Sequence, residues 1–153
     1  MFPYEMEPVF SYTVGLAAPP EVIGPVPEGI RANFYVTGGT VQGERLKGRV
    51  RAVGGDWFLI RRDGIGQLDV RTTIETDDGA LIDVAYCGLG DLGPDGYDKF
   101  LRGELPKTLT LRTAPQLRTA HPAYQWLQRA FCVGIGEVDL ERFSVSYDVY
   151  AVR

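Results

Sequence analysis

The stretch "GGDWFLIRRDGIGQLDVRTTIETDDGA", Gly54–Ala80, decides how the rest of the chain is read. It has the pattern of a β-hairpin: two runs rich in Val, Ile, Leu and Thr, broken at "RRDGIG", where an Asp-Gly pair tolerates positive φ. The second run interleaves Asp69 and Arg71 with Leu68 and Val70. Successive side chains of a strand point to opposite faces, so the charged pair and the apolar pair cannot share one. If the apolar face is inside, this is an ordinary β surface. If the charged face is inside, the protein keeps ions in its interior, where they are costly unless paired.

The same alternation extends in both directions from the hairpin. "PVFSYTVGL" places Phe10, Tyr12 and Val14 on one face of a first strand. "IRANFYVTGGTV", "ERLKGRVRAV", "ALIDVAYCG", "TLTLRTA", "FCVGIGEV" and "FSVSYDVYAV" continue the series to about nine strands. The proline-rich "AAPPEVIGPVPEG" is expected to be a connection, since proline donates no ladder hydrogen bond. One segment has helical spacing: "HPAYQWLQRAF" puts Pro122 at a first helical position and repeats Ala123, Trp126, Leu127 and Ala130, which predicts a short helix over Pro122–Arg129. One short helix among hairpin-linked strands means an all-β domain over residues 1–153, an antiparallel barrel or sandwich. "DWFLI", "LIDVAYC" and "FCVGI" are apolar on both faces. Their outer face therefore needs cover from the helix, an arm or a second subunit, and a homodimer is expected.

Composition narrows the partners. The formal net charge is −4 and the pI about 5.0, so there is no basic field for nucleic acid. No run approaches the roughly 20 apolar residues of a membrane helix. The N-terminus "MFPYEMEPVF" has no basic region and does not read as a secretory leader. Cys87 and Cys132 stand far apart in apolar runs and are expected to be free, buried thiols of a reducing compartment, the cytoplasm.

Few residues suggest chemistry. His121 is the only histidine, which excludes histidine-rich zinc sites, and it reads as a helix cap. Asp77, Asp78 and Asp83 could hold a hard metal only if "TDDG" were more than a turn, so neither metal nor cofactor is expected. "VGIGEV" lacks the strand-to-helix setting of a phosphate loop. Gly134 and Gly136 instead mark close backbone approach, such as a helix crossing the wall. That leaves the aromatic residues and the Arg/Asp pairs. Trp57, Tyr86, Tyr124, Trp126 and Tyr147 either fill the core or wall a cavity. Asp69 and Arg71 share a face, which alternation alone places toward solvent.

Several segments together resemble the domain-of-unknown-function 3237 family. "GGDWFLIRRDGIGQLDVRTTIETDDGALIDVAYCG" is similar to its Asp-Trp, Asp-Gly, Asp-x-Arg and Thr-x-Asp-Gly-Ala signatures. "LRTAPQLRTAHPAYQWLQRAFCVGIGEV" is similar to its Pro-x-Tyr-x-Trp-Leu and Val-Gly-x-Gly signatures, and "YDVYAVR" to its ending. The resemblance implies a closed or nearly closed antiparallel barrel with a short helix, and no assigned activity. It also moves the expectation for Asp69 and Arg71 toward the interior. The chain departs from the family pattern in "LGDLGPDGYDKFLRGELPKTL", a longer loop whose Tyr97 and Phe100 are expected to cover one barrel mouth.

Three functions stay open. The first is a small-molecule binder: Arg71 or Arg112 would hold an oxygen of an aromatic or carboxylate-bearing ligand, among Trp57, Tyr86, Tyr124, Trp126 and Tyr147. The second is a lyase, isomerase or cyclase, with Asp69 or Asp56 as base next to a carbonyl and Arg71 stabilising the oxyanion. The third is a structural domain without a ligand. A carboxylate inside a cavity favours the enzyme, because desolvation raises its basicity.

Overall fold

The computed structural model describes the whole chain, Met1–Arg153. Its strands are β1 Met6–Leu16, β2 Glu21–Val26, β3 Gly29–Gln42, β4 Gly48–Val50, β5 Gly55–Ile60, β6 Ile65–Thr76, β7 Leu81–Asp91, β8 Thr108–Arg118, β9 Phe131–Asp139 and β10 Ser144–Val152. A helix α1 spans Gly96–Leu101, and a 3₁₀ helix spans Pro122–Arg129. No helix is long and apolar enough to cross a membrane.

The strands form a closed antiparallel β-barrel. From β10 to β6 each strand pairs with the next one back along the chain, and β1 joins β10 on one side and β3 on the other. The wall has eight staves. β2 continues β1 along the same edge of β3, while β4 and β5 are two pieces of one stave between β3 and β6. The proline-rich segment is thus a strand, not the expected connection. β2 pairs with β3 alone, and on such an edge the missing N–H of Pro25 removes no ladder bond.

The Pro122–Arg129 segment is wound as a 3₁₀ helix. Its backbone bonds run three residues back, from Tyr124 to His121 and from Ala130 to Leu127. At about 2.0 Å per residue these eight residues reach about 16 Å, which lets a short segment stretch across the barrel end and seat Leu127 in the core. His121 caps it as expected, its Nδ1 accepting the Ala123 N–H at 3.3 Å. The α-helix lies instead in the long loop after β7, at the opposite mouth, stitched by the Lys99–Asp95 ion pair at 2.8 Å.

β6 answers the question its sequence poses. Leu68, Val70, Thr72 and Ile74 face the interior, and Asp69 and Arg71 face out. The expected interior placement of this pair is therefore corrected: closure gives every second side chain to one small interior, and β6 offers it only uncharged groups. By the same alternation Tyr86 points in and Cys87 points out. Cys87 is exposed rather than buried, whereas Cys132 is buried.

The interior is filled unevenly. Toward the 3₁₀ helix, Val41, Leu46, Ile74, Ile82, Leu127 and Val149 are almost completely buried. Midway lies a layer of rings: Tyr12 stacks on Tyr147 at 5.2 Å between centroids, and Tyr86 meets Tyr147 edge-on at 5.7 Å. Gly136 makes room for this layer, since a Cβ there would lie 2.2 Å from Cδ1 of Tyr147. The close approach expected at Gly134 and Gly136 is to this ring and to Thr113, not to a helix.

In dilute solution, Asp69→Ala and Arg71→Ala are each expected to lower stability by less than about 1 kcal/mol, additively, as exposed unpaired charges should. Gly136→Ala is expected to cost about 1–3 kcal/mol through overpacking against Tyr147. Urea melts of the five proteins, the parent and the Asp69→Ala/Arg71→Ala double included, check both expectations.

Candidate functional site

Beyond the tyrosine layer, toward α1, the barrel is hollow. The cavity has a volume of about 70 Å³, and 18 of its 20 lining residues are hydrophobic. Phe34, Phe58, Tyr86 and Tyr147 form its deeper walls, and Phe100 and Leu105 of the α1 loop close over it, as expected for Phe100. Tyr97 does not line the cavity. It is buried beneath the Arg62 guanidinium and anchors the loop to the hairpin. Thr72 and Asp56 are the two lining residues outside the hydrophobic set. The Thr72 hydroxyl is already committed to the Val53 carbonyl at 2.9 Å.

Asp56 is held where the β5–β6 ladder opens. Register pairs are formed at Gly55/Arg71 and Asp56/Val70, then resume at Leu59/Gln67. Between them the Asp69 N–H donates to Oδ1 of Asp56 at 3.0 Å, and the Trp57 carbonyl accepts instead from Arg31 Nη1 at 2.6 Å. The carboxylate has taken a ladder donor, and the displaced carbonyl has been given another. No other group of the protein hydrogen-bonds to the Asp56 carboxylate.

Burial is the main reason the Asp56 carboxyl is raised from 3.8 to about 7. The Asp69 amide opposes the rise, the Asp69 charge adds to it and Arg31 opposes it. The tyrosines form a second polar node. Burial raises Tyr12 and Tyr147 well above the ordinary phenol value, and hydrogen bonding to Tyr86 adds to both rises. Tyr86 is pushed up to about 12, again by burial first, but the bonds from Tyr12 and Tyr147 pull it down. All three phenols are therefore protonated at neutral pH, and with Tyr12 and Tyr147 donating to Tyr86 it is the Tyr86 proton that remains to be given. Asp56 adds to the rise of both Tyr86 and Tyr147, which places carboxyl and phenols in one electrostatic unit.

Of the residues singled out from sequence, Asp56, Tyr86 and Tyr147 meet here. Asp69, Arg71, Trp57 and Arg112 lie on the outer wall, so the expected interior anchoring role of Arg112 is corrected: Arg112 alternates with the inward Leu111 and Thr113 and donates to the Leu111 carbonyl at 2.8 Å. Tyr124 and Trp126 belong to the 3₁₀ helix at the filled end. Tyr124 donates to Oδ1 of Asp78 at 2.8 Å, and Trp126 lies under the Arg45 guanidinium at 3.8 Å. Asp78 thereby closes a turn. Tyr12, Phe34 and Phe58 went unremarked as site residues, although the inward phase of "PVFSYTVGL" already carried Tyr12.

A family model described as "Protein of unknown function (DUF3237)" matches residues 4–152. A UPF0311 protein of Rhodopseudomonas palustris is 36% identical over 132 residues, 84% of each chain. The crystal structure of a beta-barrel-like protein from Acinetobacter baumannii superimposes with a TM-score of 0.84 at 32% identity, covering 100% of this chain and 98% of that one. An enzyme from Penicillium herquei shares the fold, with a TM-score of 0.68 at 20% identity over 98% and 96% of the two chains.

The raised carboxyl makes stability depend on pH. A group whose folded value lies above its unfolded one stabilises fully below the unfolded value, and that contribution is lost as pH rises through the folded value. Between about pH 4 and pH 8 the protein should lose up to about 4 kcal/mol of stability from Asp56. Asp56→Asn keeps the acceptor for the Asp69 amide and should flatten this decline, leaving the variant more stable than the parent above pH 7. Thermal melts across that range check the sign.

Proposed function

The chain belongs to the DUF3237 family of proteins of unknown function, and we propose that within it this barrel binds an uncharged organic molecule and moves a proton on it. The observation that carries this reading is Asp56: a carboxyl in an apolar cavity, tied by one amide and raised to about 7. Such a group accepts and returns a proton near neutral pH, as a general acid–base catalyst must. Protonated Tyr86, its oxygen held by the Tyr12 and Tyr147 hydroxyls, supplies a hydrogen bond to an oxygen on which charge develops. This chemistry is that of a lyase, isomerase or cyclase acting next to a carbonyl. The same fold serves an enzyme in Penicillium herquei, a likeness that concerns architecture only.

The ligand's charge follows from the lining. No cation faces the cavity, so a carboxylate-bearing ligand would set a second anion beside Asp56 in an apolar space. An aromatic or aliphatic carbonyl compound suits it. Its size follows from the volume, since a cavity of about 150 Å³ holds benzene. Half that space admits a reactive end while the remainder leaves through the mouth, past Phe100 and Leu105. An exposed free thiol at Cys87 suits a reducing compartment.

Passive binding is the second reading, favoured by how little of the lining is polar. Benzoylacetone in deuterated buffer separates the two. The parent is expected to catalyse deuterium exchange at the carbon between the carbonyls, the rate rising with pH through about 7 as Asp56 ionises. Asp56→Asn should slow exchange by about 10²–10⁴-fold while binding persists, and Tyr86→Phe by a smaller factor. Binding without exchange in the parent means a carrier. Neither binding nor exchange, across a panel of neutral ketones, would refute the reading.

A further inference from the structure

Outside the barrel, over β5–β9, the wall carries a groove that the interior chemistry does not use. Its floor is apolar where a solvated sheet face is ordinarily polar. Trp57, Leu89 and Ile135 are 37, 52 and 40% exposed, and Cys87, Ala114 and Val133 lie between them. Three charged residues line it: Arg31 at the β3 margin, where it is tied to the Trp57 carbonyl, and two nearer the centre. Asp69 on β6 is opposite Cys87, and Arg112 on β8 is opposite Leu89, so they flank β7 diagonally about Gly88. No ion pair within the chain involves either of them.

The geometry points to a second copy of this chain as the occupant. The central pair, one charge of each sign at equal distances from Gly88, makes the middle of the groove complementary to itself. A two-fold axis running parallel to the wall just above Gly88, across the Asp69–Arg112 diagonal, sets each Asp69 over the Arg112 of the other copy and turns each Trp57 toward the other copy's Ile135. Size sets the strength. With strands about 4.8 Å apart and outward residues about 6.8 Å apart, five strands and two rows cover on the order of 300 Å². Stable interfaces bury about 800 Å² per partner, so this dimer is a weak one that forms only at high protein concentration.

Sedimentation of the full chain from low micromolar to several hundred micromolar tests the assignment. The parent mass is expected to climb from 16.9 kDa toward twice that value, less readily at high salt. Leu89→Lys should remain monomeric throughout, with an unchanged melting midpoint showing that it folds. Asp69→Arg and Arg112→Asp should each weaken association about tenfold or more, and the two together should return it to within a few-fold of the parent. A parent that stays monomeric at every concentration overturns the proposal. So does a Leu89→Lys protein that associates like the parent, or a double reversal that fails to rescue. A monomer that binds anilinonaphthalene sulfonate in the parent and not in Leu89→Lys also overturns it, because the groove is then a site for a small apolar ligand.

Discussion

Everything in this molecule depends on closure of the wall between β1 and β3. Pairing of β1 with β10 on one side and β3 on the other leaves no free edge along the main staves, and it commits each strand to one phase of inward and outward side chains. A slip of one residue in any stave would exchange its whole inner set for its outer one. Through this constraint Asp56 is inside and Trp57 outside, and Tyr86 is inside and Cys87 outside. Leu68 and Val70 are inside, with Asp69 and Arg71 out.

Closure also explains how a carboxylate comes to be kept in apolar surroundings. The barrel interior offers few polar partners, so Asp56 takes its hydrogen bond from the wall, at the cost of a ladder pair with β6. The cost is limited because Arg31 satisfies the carbonyl that the ladder abandons. One turn of the wall thus serves both faces. The Asp69 amide steadies the inner carboxylate, while the Asp69 side chain stands in the outer groove. The single tie leaves burial as the dominant influence on Asp56, and a carboxyl that several donors satisfied would have stayed an ordinary acid.

The tyrosine layer divides the barrel by function. On one side aliphatic side chains and Leu127 fill the space, and stability is generated there. On the other side the lining is apolar but does not meet, and Phe100 and Leu105 stand at the opening. Tyr86 and Tyr147 belong to both halves, since their rings are packed in the core with Tyr12 and also line the cavity. Gly136 is the small residue that lets rings of this size occupy the middle of a narrow barrel.

Local pattern carried much of this architecture. Alternation in "QLDVRTTIET" and "PVFSYTVGL", the Asp-Gly turns, the cap at His121 and the apolar loop residue Phe100 each follow from chemistry between near neighbours, and near neighbours are written side by side in the chain. The all-β class and the covering of one mouth were legible for that reason, and Asp56, Tyr86 and Tyr147 were legible as residue types worth weighing. Which of them would meet was not. Phase along a strand shows that Asp69 and Arg71 share a face, but only closure decides which face encloses the interior, because both phases of β6 are chemically consistent alone. The strand at Glu21–Val26 was hidden because only its partner β3 reveals that Pro25 lies on an edge. Asp56 gained its basicity first from burial among cavity-lining residues far away in the chain, and then from the Asp69 charge thirteen positions on. Desolvation is a property of the assembled cavity, and no stretch of sequence contains it.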